Sequence, residues 1–371
     1  MKRGYLLLLF LVSLVACTNN ATIDNNNIEA HENGKIYATI DNNGARVQLN
    51  SEVQTVWTKG DEITILSPKS YAQYKFDGET GDRSGVFSIK DEFTPISDKA
   101  LKYYALYPGH GNLDYSGTRA TKNEMIATLP SVQHYVKDSY CSKSNVMVGS
   151  SDDGSSYVFK NVVSYLRFSF VGERAVKRIQ LKGNNSELLA GSLYVNMDNL
   201  GIGLKGDEVG NSKTVLLDCG ENGVQLSETP TDFYFVLPVV EFSKGFSIVV
   251  EFTDGTVFSK IRAKQFRMVR NVVYPMAVLN VDPSDEDKYI YIDHSGARIA
   301  TPKLFTVIDV PASGSVVWGD GSIMMLGENQ DTDYIYKDGE PSHKVSVQTV
   351  DANIFQLRHC AGVSRIDLSN F

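Results

Sequence analysis

Val162–Val171 reads VVSYLRFSFV, and the choice between strand and helix for this stretch decides the fold of the segments downstream of it. Its β-branched and aromatic side chains lose rotamer freedom in a helix and pack well on a pleated surface. The overlapping window Val158–Tyr165 is the one place where a helical period is tempting, and its β-branched content weakens that reading. Downstream the same texture recurs in VKRIQLK, LLAGSLYVN, DFYFVLPVV, FSIVVEF and VVYPMAVLNV, with turn residues between them. That is the rhythm of sandwich strands. Upstream, KIYATI (Lys35–Ile40) and ARVQL (Ala45–Leu49) flank DNNG, where Asn-Gly supplies the positive φ values of a tight hairpin. WTKGDEITIL (Trp57–Leu66) and YAQYKF (Tyr71–Phe76) alternate with period two, so each should bury one face. LKYYALYPG (Leu101–Gly109) runs into Pro108, which cannot donate to a ladder and should end the strand at Tyr107.

Composition agrees with an all-β chain. Nineteen Tyr, seventeen Phe and thirty Gly occur among 371 residues, and helical blocks of Ala, Leu, Glu and Lys are nearly absent, so less than about a tenth of the chain should be helix. The length suggests two to three domains. Hydrophobic residues at 42% and charged residues at 22% fit a globular chain. The net charge of −8, with no dense basic run, argues against a nucleic-acid partner.

The N-terminus reads as an export leader. Met1, Lys2 and Arg3 are followed by an apolar run from Tyr5 to Val15 and then Ala16-Cys17, too short to cross a ~30 Å hydrocarbon layer. The string LVAC is similar to a bacterial lipobox, in which Cys17 is acylated and cleavage follows Ala16, anchoring the protein to a membrane. The alternative is an ordinary signal peptide with a cysteine beside the cut. TNNATIDNNNIEAHEN (Thr18–Asn33) is polar and Asn-rich, as a tether would be. No later stretch is long and apolar enough to span a bilayer.

Acid-base and metal motifs are sparse. Once Cys17 is acylated, Cys141, Cys219 and Cys360 remain, an odd and scattered set that suggests no structural disulfide. The six histidines include no His-x-x-x-His pair, and no Gly-x-Ser-x-Gly elbow or phosphate-binding loop occurs. GIGLKG, with Gly201, Gly203 and Gly206, formally matches a dinucleotide pattern but follows the turn NMDNL, which favours a hairpin. SDDG (Ser151–Gly154) and the acidic segment 331–338 lack calcium-loop order and read as solvated turns. No catalytic residue, cofactor or metal is expected, and the chain is read as a non-enzyme. A glycosidase would need two carboxylates roughly 5–9 Å apart, and no spacing suggests such a pair.

Trp57, Gly60-Asp61 and the alternating isoleucines, then YYALYPG, Leu129-Pro130 with Gln133, and FYFVLPVV, taken in that order over roughly residues 34–281, resemble the fimbrillin family of surface lipoproteins. The resemblance implies two tandem transthyretin-like β-sandwich domains, with Trp57, Tyr104, Tyr107 and Phe235 filling cores and Gly60 and Gly109 permitting bends. VVWGDGS (Val316–Ser322), DYIYKDG and HKVSV (His343–Val347) resemble PKD-like modules, which implies a small immunoglobulin-like β-sandwich with Trp318 in its core and Asp320-Gly321 at its turn. The expected organisation is therefore a signal peptide (1–16), a lipidated tether (17–33), a first sandwich (34–160), a second (161–282) and a PKD-like sandwich (283–371).

The resemblance implies assembly by strand exchange with other fimbrial subunits. A protease removes the first strand by cutting after an Arg, for which Arg46 is the candidate, and a neighbour's strand fills the groove. An added C-terminal domain would occupy the terminus that a stalk subunit donates. The implied role is a lipid-anchored fimbrial accessory or tip subunit at the outer membrane, cell surface or fimbrium, contributing to pilus assembly and adhesion to a host or bacterial receptor. The alternative is a surface glycan- or protein-binding lipoprotein outside any pilus, with Tyr334 and Tyr336 as a stacking platform. Against that platform stands the simpler reading of two alternate residues packed inward.

Overall fold

The computed structural model describes residues 34–41, 55–67, 69–97, 100–109, 124–204, 210–282, 288–307, 310–311, 314–320, 322–326, 333–349 and 352–371. Among them the chain is built of strands, with one short 3-10 turn at Ser142–Ser144, as its β-branched and aromatic content requires. The all-β reading holds, and Val158–Tyr165 is strand on either side of a short break.

The first unit is a seven-stranded sheet that closes on itself. Its strands follow the order Lys35–Ile40, Ser84–Ile89, Tyr71–Phe76, Glu62–Leu66, Tyr103–Tyr107, Met147–Ser151 and Ser156–Asn161. Alternation sends Ile36, Ala38, Ile63, Ile65, Tyr74, Phe87 and Phe159 inward. Trp57, fully buried, lies edge-on to Phe87, Tyr107 and Phe159 at 5.0, 5.5 and 5.3 Å. Such edge-to-face contacts place ring hydrogens against π faces and add to the burial of the rings. The strand ends at Tyr107, as Pro108 dictates. Beyond it a Cβ on Gly109 would stand 2.9 Å from the Glu62 backbone, so only glycine fits there.

Val162–Val171 becomes a layer buried on both faces. Ser164–Val171 pairs antiparallel with Thr231–Leu237. Leu166, Phe168, Phe170, Phe233 and Phe235 face a sheet formed by Ala175–Gly183, Thr214–Asp218 and Phe246–Phe252. Tyr165, Tyr234 and Val236 point the other way and meet Leu66, Leu106 and Val148 from the outside of the closed sheet. Two apolar faces explain why the stretch reads as a near-continuous apolar run rather than an alternating one. Tyr104 packs in this intermediate layer, not inside the first sheet, whereas Phe235 fills the second core. A small polar network crosses the layer: the Tyr165 hydroxyl donates to Asn145 Oδ1 at 2.5 Å, and Asn161 Nδ2 donates to the same oxygen at 2.7 Å.

Chain order and sheet order part company between residues 124 and 134. Glu124–Leu129 pairs with Gly191–Asn196, and Val132–His134 runs parallel to Thr214–Asp218. Both lie before residue 160 in the chain yet complete sheets whose other strands come after it. Within GIGLKG, Ile202–Leu204 forms the return strand of a hairpin, with Leu193 opposite Leu204 and Val195 opposite Ile202; Lys205 and Gly206 lie outside the described residues.

The third unit has a sheet in the order Ile323–Leu326, Gly314–Val317, Ser342–Thr349, Lys288–Ser295 and Val363–Asn370, with smaller sheets against it. Ile290, Ile292, Val316, Trp318, Val345 and Val347 form its core.

Candidate functional site

Cys17 and Arg46 lie outside the described residues. The strand between them, Lys35–Ile40, has two partners. It runs antiparallel to Ser84–Ile89, with Tyr37 opposite Val86, and parallel to Ser156–Asn161, with Ala38 opposite Tyr157. Ile36, Ala38 and Ile40 are at most 3% exposed and face Trp57's core, while Tyr37 points outward at 39%. Removing this strand would open two backbone edges at once and uncover an apolar groove. Each buried isoleucine alone contributes roughly 1.5–3 kcal/mol of burial, and an unpaired pair of edges is a template for another strand.

The last described strand is likewise paired within its own unit. Val363–Asn370 pairs with Lys288–Ser295 at the edge of the third unit's sheet, and Ile366 packs on that unit's core.

Tyr334, in the strand Asp333–Ile335, and Tyr336, just past its end, turn inward, with Ile335 between them 60% exposed. The Tyr334 ring stacks on Trp318 at 4.3 Å and 4°, and its hydroxyl donates to Asp320 Oδ2 at 2.8 Å. Burial pushes that hydroxyl up to about 12. Tyr336 is 7% exposed, stacks on His343 at 3.6 Å and donates to the Trp318 carbonyl at 3.0 Å. His343 in turn contacts Asp338 Oδ2 through Nε2 at 2.9 Å. The pair therefore packs inward. Gly319 allows the turn beside Trp318: its φ is +88°, and a Cβ there would stand 2.6 Å from the Lys344 carbonyl. Gly321 lies outside the described residues.

Sequence reasoning did not anticipate the junction between the second and third units. Val249, Val257 and Val317 meet there as a small apolar cluster. Beside them the outer faces of two sheets enclose a polar cleft of about 560 Å3. One wall holds Arg178, whose Nε donates to Glu251 Oε2 at 2.6 Å. The other holds Arg365, whose guanidinium donates to Asp367 Oδ2 at 2.7 Å. A backbone hydrogen bond from Ser369 is the main cause that holds the Asp367 carboxyl below its ordinary value. These charged residues occupy alternate strand positions, a signal present in the sequence, but nothing in it says that the two faces meet.

Cys141, Cys219 and Cys360 are free thiols. Burial pushes Cys219 up to about 12, which keeps it protonated and unreactive. The Asp153 carboxylate in SDDG accepts hydrogen bonds from Ser151 and the Ser155 backbone, both 2.8 Å, as a turn residue does. Among the described residues no three acidic, cysteine or histidine groups converge to hold a metal, and no helix is long and apolar enough to cross a membrane.

No family model matches the chain, and no curated protein matches it in sequence. Similar solved structures include a protein from Bacteroides ovatus provisionally described as a cell adhesion protein, at 15% identity and a TM-score of 0.43, with 65% of this chain and 89% of that one covered. Another from Bacteroides uniformis, described in the same terms, has 13% identity and a TM-score of 0.38, covering 67% and 93%. A fimbrial protein from Bacteroides ovatus has 12% identity and a TM-score of 0.34, covering 69% and 52%. At such scores the functional reading rests on this chain's own residues and geometry.

Proposed function

We propose that the chain is a lipid-anchored cell-surface fimbrial accessory or tip subunit that contributes to pilus assembly and adhesion. The observation that carries this reading is the position of Lys35–Ile40, the first described strand, held between two partners over a single apolar core. Cleavage after Arg46 would free that strand, and a neighbouring subunit's strand would restore both ladders and the buried face. The last described strand also bears on the role. Val363–Asn370 is paired within the third unit's sheet, so this strand is not free to be donated, which fits an accessory or tip role. The leader and Cys17 supply the anchor in this reading, and the third unit is the outward-facing, PKD-like module.

The test is a surface-shaved extract run in detergent without boiling. Strand-exchanged assemblies resist detergent, so the protein should migrate in high-mass species and collapse to monomer on boiling. Migration as a monomer under both conditions contradicts assembly. Acyl-label incorporation in wild type and Cys17→Ala tests the anchor separately, and equal labelling contradicts it.

A further inference from the structure

The cleft between the second and third units has the size and chemistry of a ligand site. At about 560 Å3 it falls within the roughly 300–1,000 Å3 range of small-ligand clefts. Strand register builds its floor. Asp293 lies opposite Lys344 on one neighbouring strand and Arg365 on the other. Two positions earlier, Tyr291 lies opposite Ser346 and Asp367. Residues at alternate positions share a face, and the flanking Ile290 and Ile292 are fully buried in the opposite direction, in the third unit's core. Donors and acceptors thus form a checkerboard about 4.8 Å across, the spacing of neighbouring strands. The facing wall adds the Arg178–Glu251 pair, whose Glu251 side chain is 10% exposed, together with Asp254 and Thr256.

Charge narrows the ligand class. Arg178, Lys344 and Arg365 balance nearly the same number of carboxylates in the lining, so neither an anion nor a cation meets a field of opposite sign. An apolar ligand would strip water from charged groups and replace it with nothing. An uncharged polyhydroxylated ligand fits both kinds of group, because one hydroxyl can donate to a carboxylate while accepting from a guanidinium. The ion pairs hold these groups in place before any ligand arrives. Asp293 and Lys344 make no side-chain hydrogen bond to another described residue, which leaves an acceptor and a donor side by side for a ligand. The Tyr291 ring, half-buried beside them, offers a flat apolar face with a polar tip.

We propose that this cleft is a binding site for a short, uncharged oligosaccharide, gripped by Asp293, Lys344 and Arg365 and stacked on Tyr291. The proposal rests on the adhesive half of the function proposed above and is independent of strand exchange.

The experiment is calorimetric titration of the detergent-solubilised full chain with maltohexaose, cellohexaose, chitohexaose and mannohexaose, with sialyllactose as the anionic control. At least one neutral saccharide should bind, and its affinity should fall by about tenfold or more in Asp293→Asn and Tyr291→Ala while thermal unfolding stays as in wild type. Lys344→Ala, a change at an exposed position, provides a variant with little risk to folding and should weaken binding as well. Absence of binding by all four neutral saccharides, binding of sialyllactose alone, or unchanged affinity in the variants overturns the proposal. Binding that survives in a chain migrating only as a monomer would leave the cleft proposal standing and remove the assembly reading.

Discussion

Gln133 closes its side-chain amide on the backbone of Val236 from both sides. Its Nε2 donates to the Val236 carbonyl at 2.7 Å, and its Oε1 accepts from the Val236 N–H at 2.9 Å. Gln133 itself belongs to a strand paired with Thr214–Asp218, whereas Val236 belongs to the layer opposite. One fully buried side chain thus stands in for a missing strand and links two sheets. Gln133→Leu keeps the volume and orphans both backbone groups. Each buried unsatisfied group costs about 1–3 kcal/mol, so the denaturant midpoint of the second unit should fall clearly; a midpoint equal to wild type would show that water reaches Val236.

Inward and outward positions of the first strand should differ sharply. Ile36 is 2% exposed and Tyr37 39%. Ile36→Ala should lose about 2–5 kcal/mol, and Tyr37→Ala no more than about 1 kcal/mol. Chemical denaturation of the two variants checks this, and similar losses would mean that the strand is not held as described.

Stacking and hydrogen bonding around Trp318 can be separated. Trp318→Ala removes the core of the third unit and should cost about 3–5 kcal/mol. Tyr334→Phe keeps the stacked ring and removes only the hydrogen bond to Asp320, for about 1 kcal/mol. Thermal melts followed by tryptophan fluorescence suit the second variant, and circular dichroism the first.

Acid should weaken the third unit. Burial is the main cause that holds His294 below its ordinary value of 6.5, with His343 contributing. His343 is its cross-strand partner, Tyr336 lies over its ring, and Asp338 contacts His343. Because the folded value is the lower one, the unfolded chain takes up the proton first. The contribution to stability is therefore complete above about pH 6.5 and is lost as pH falls through the folded value. Melting temperature should drop between pH 7.5 and 5, and His294→Phe should flatten that dependence. An unchanged slope in the variant would assign the acid sensitivity elsewhere.

The first unit was largely legible from its residues. KIYATI and YAQYKF occupy Lys35–Ile40 and Tyr71–Phe76 as read, because period-two alternation is a local signal. The core positions of Trp57, Tyr107 and Trp318 were legible too, since large aromatics between turn residues have few other places to go. Tyr104 went to the layer beyond the first sheet because alternation tells which residues share a face, not what that face meets. ARVQL lies outside the described residues. The cleft was not legible at all: Asp293, Lys344 and Arg365 are ordinary surface charges until strands far apart in sequence place them opposite one another.

By itself the sequence determined an all-β chain, many of its strands, and which residues share a face, because alternation, β-branching and proline act within a few residues of backbone. Only the tertiary structure decided that Val162–Val171 is covered on both faces, that residues 124–134 complete sheets of the second unit, and that two charged faces enclose a cleft. Those outcomes depend on hydrogen-bonded partners and packed faces contributed by distant segments, and no local pattern encodes which distant edge a strand will meet.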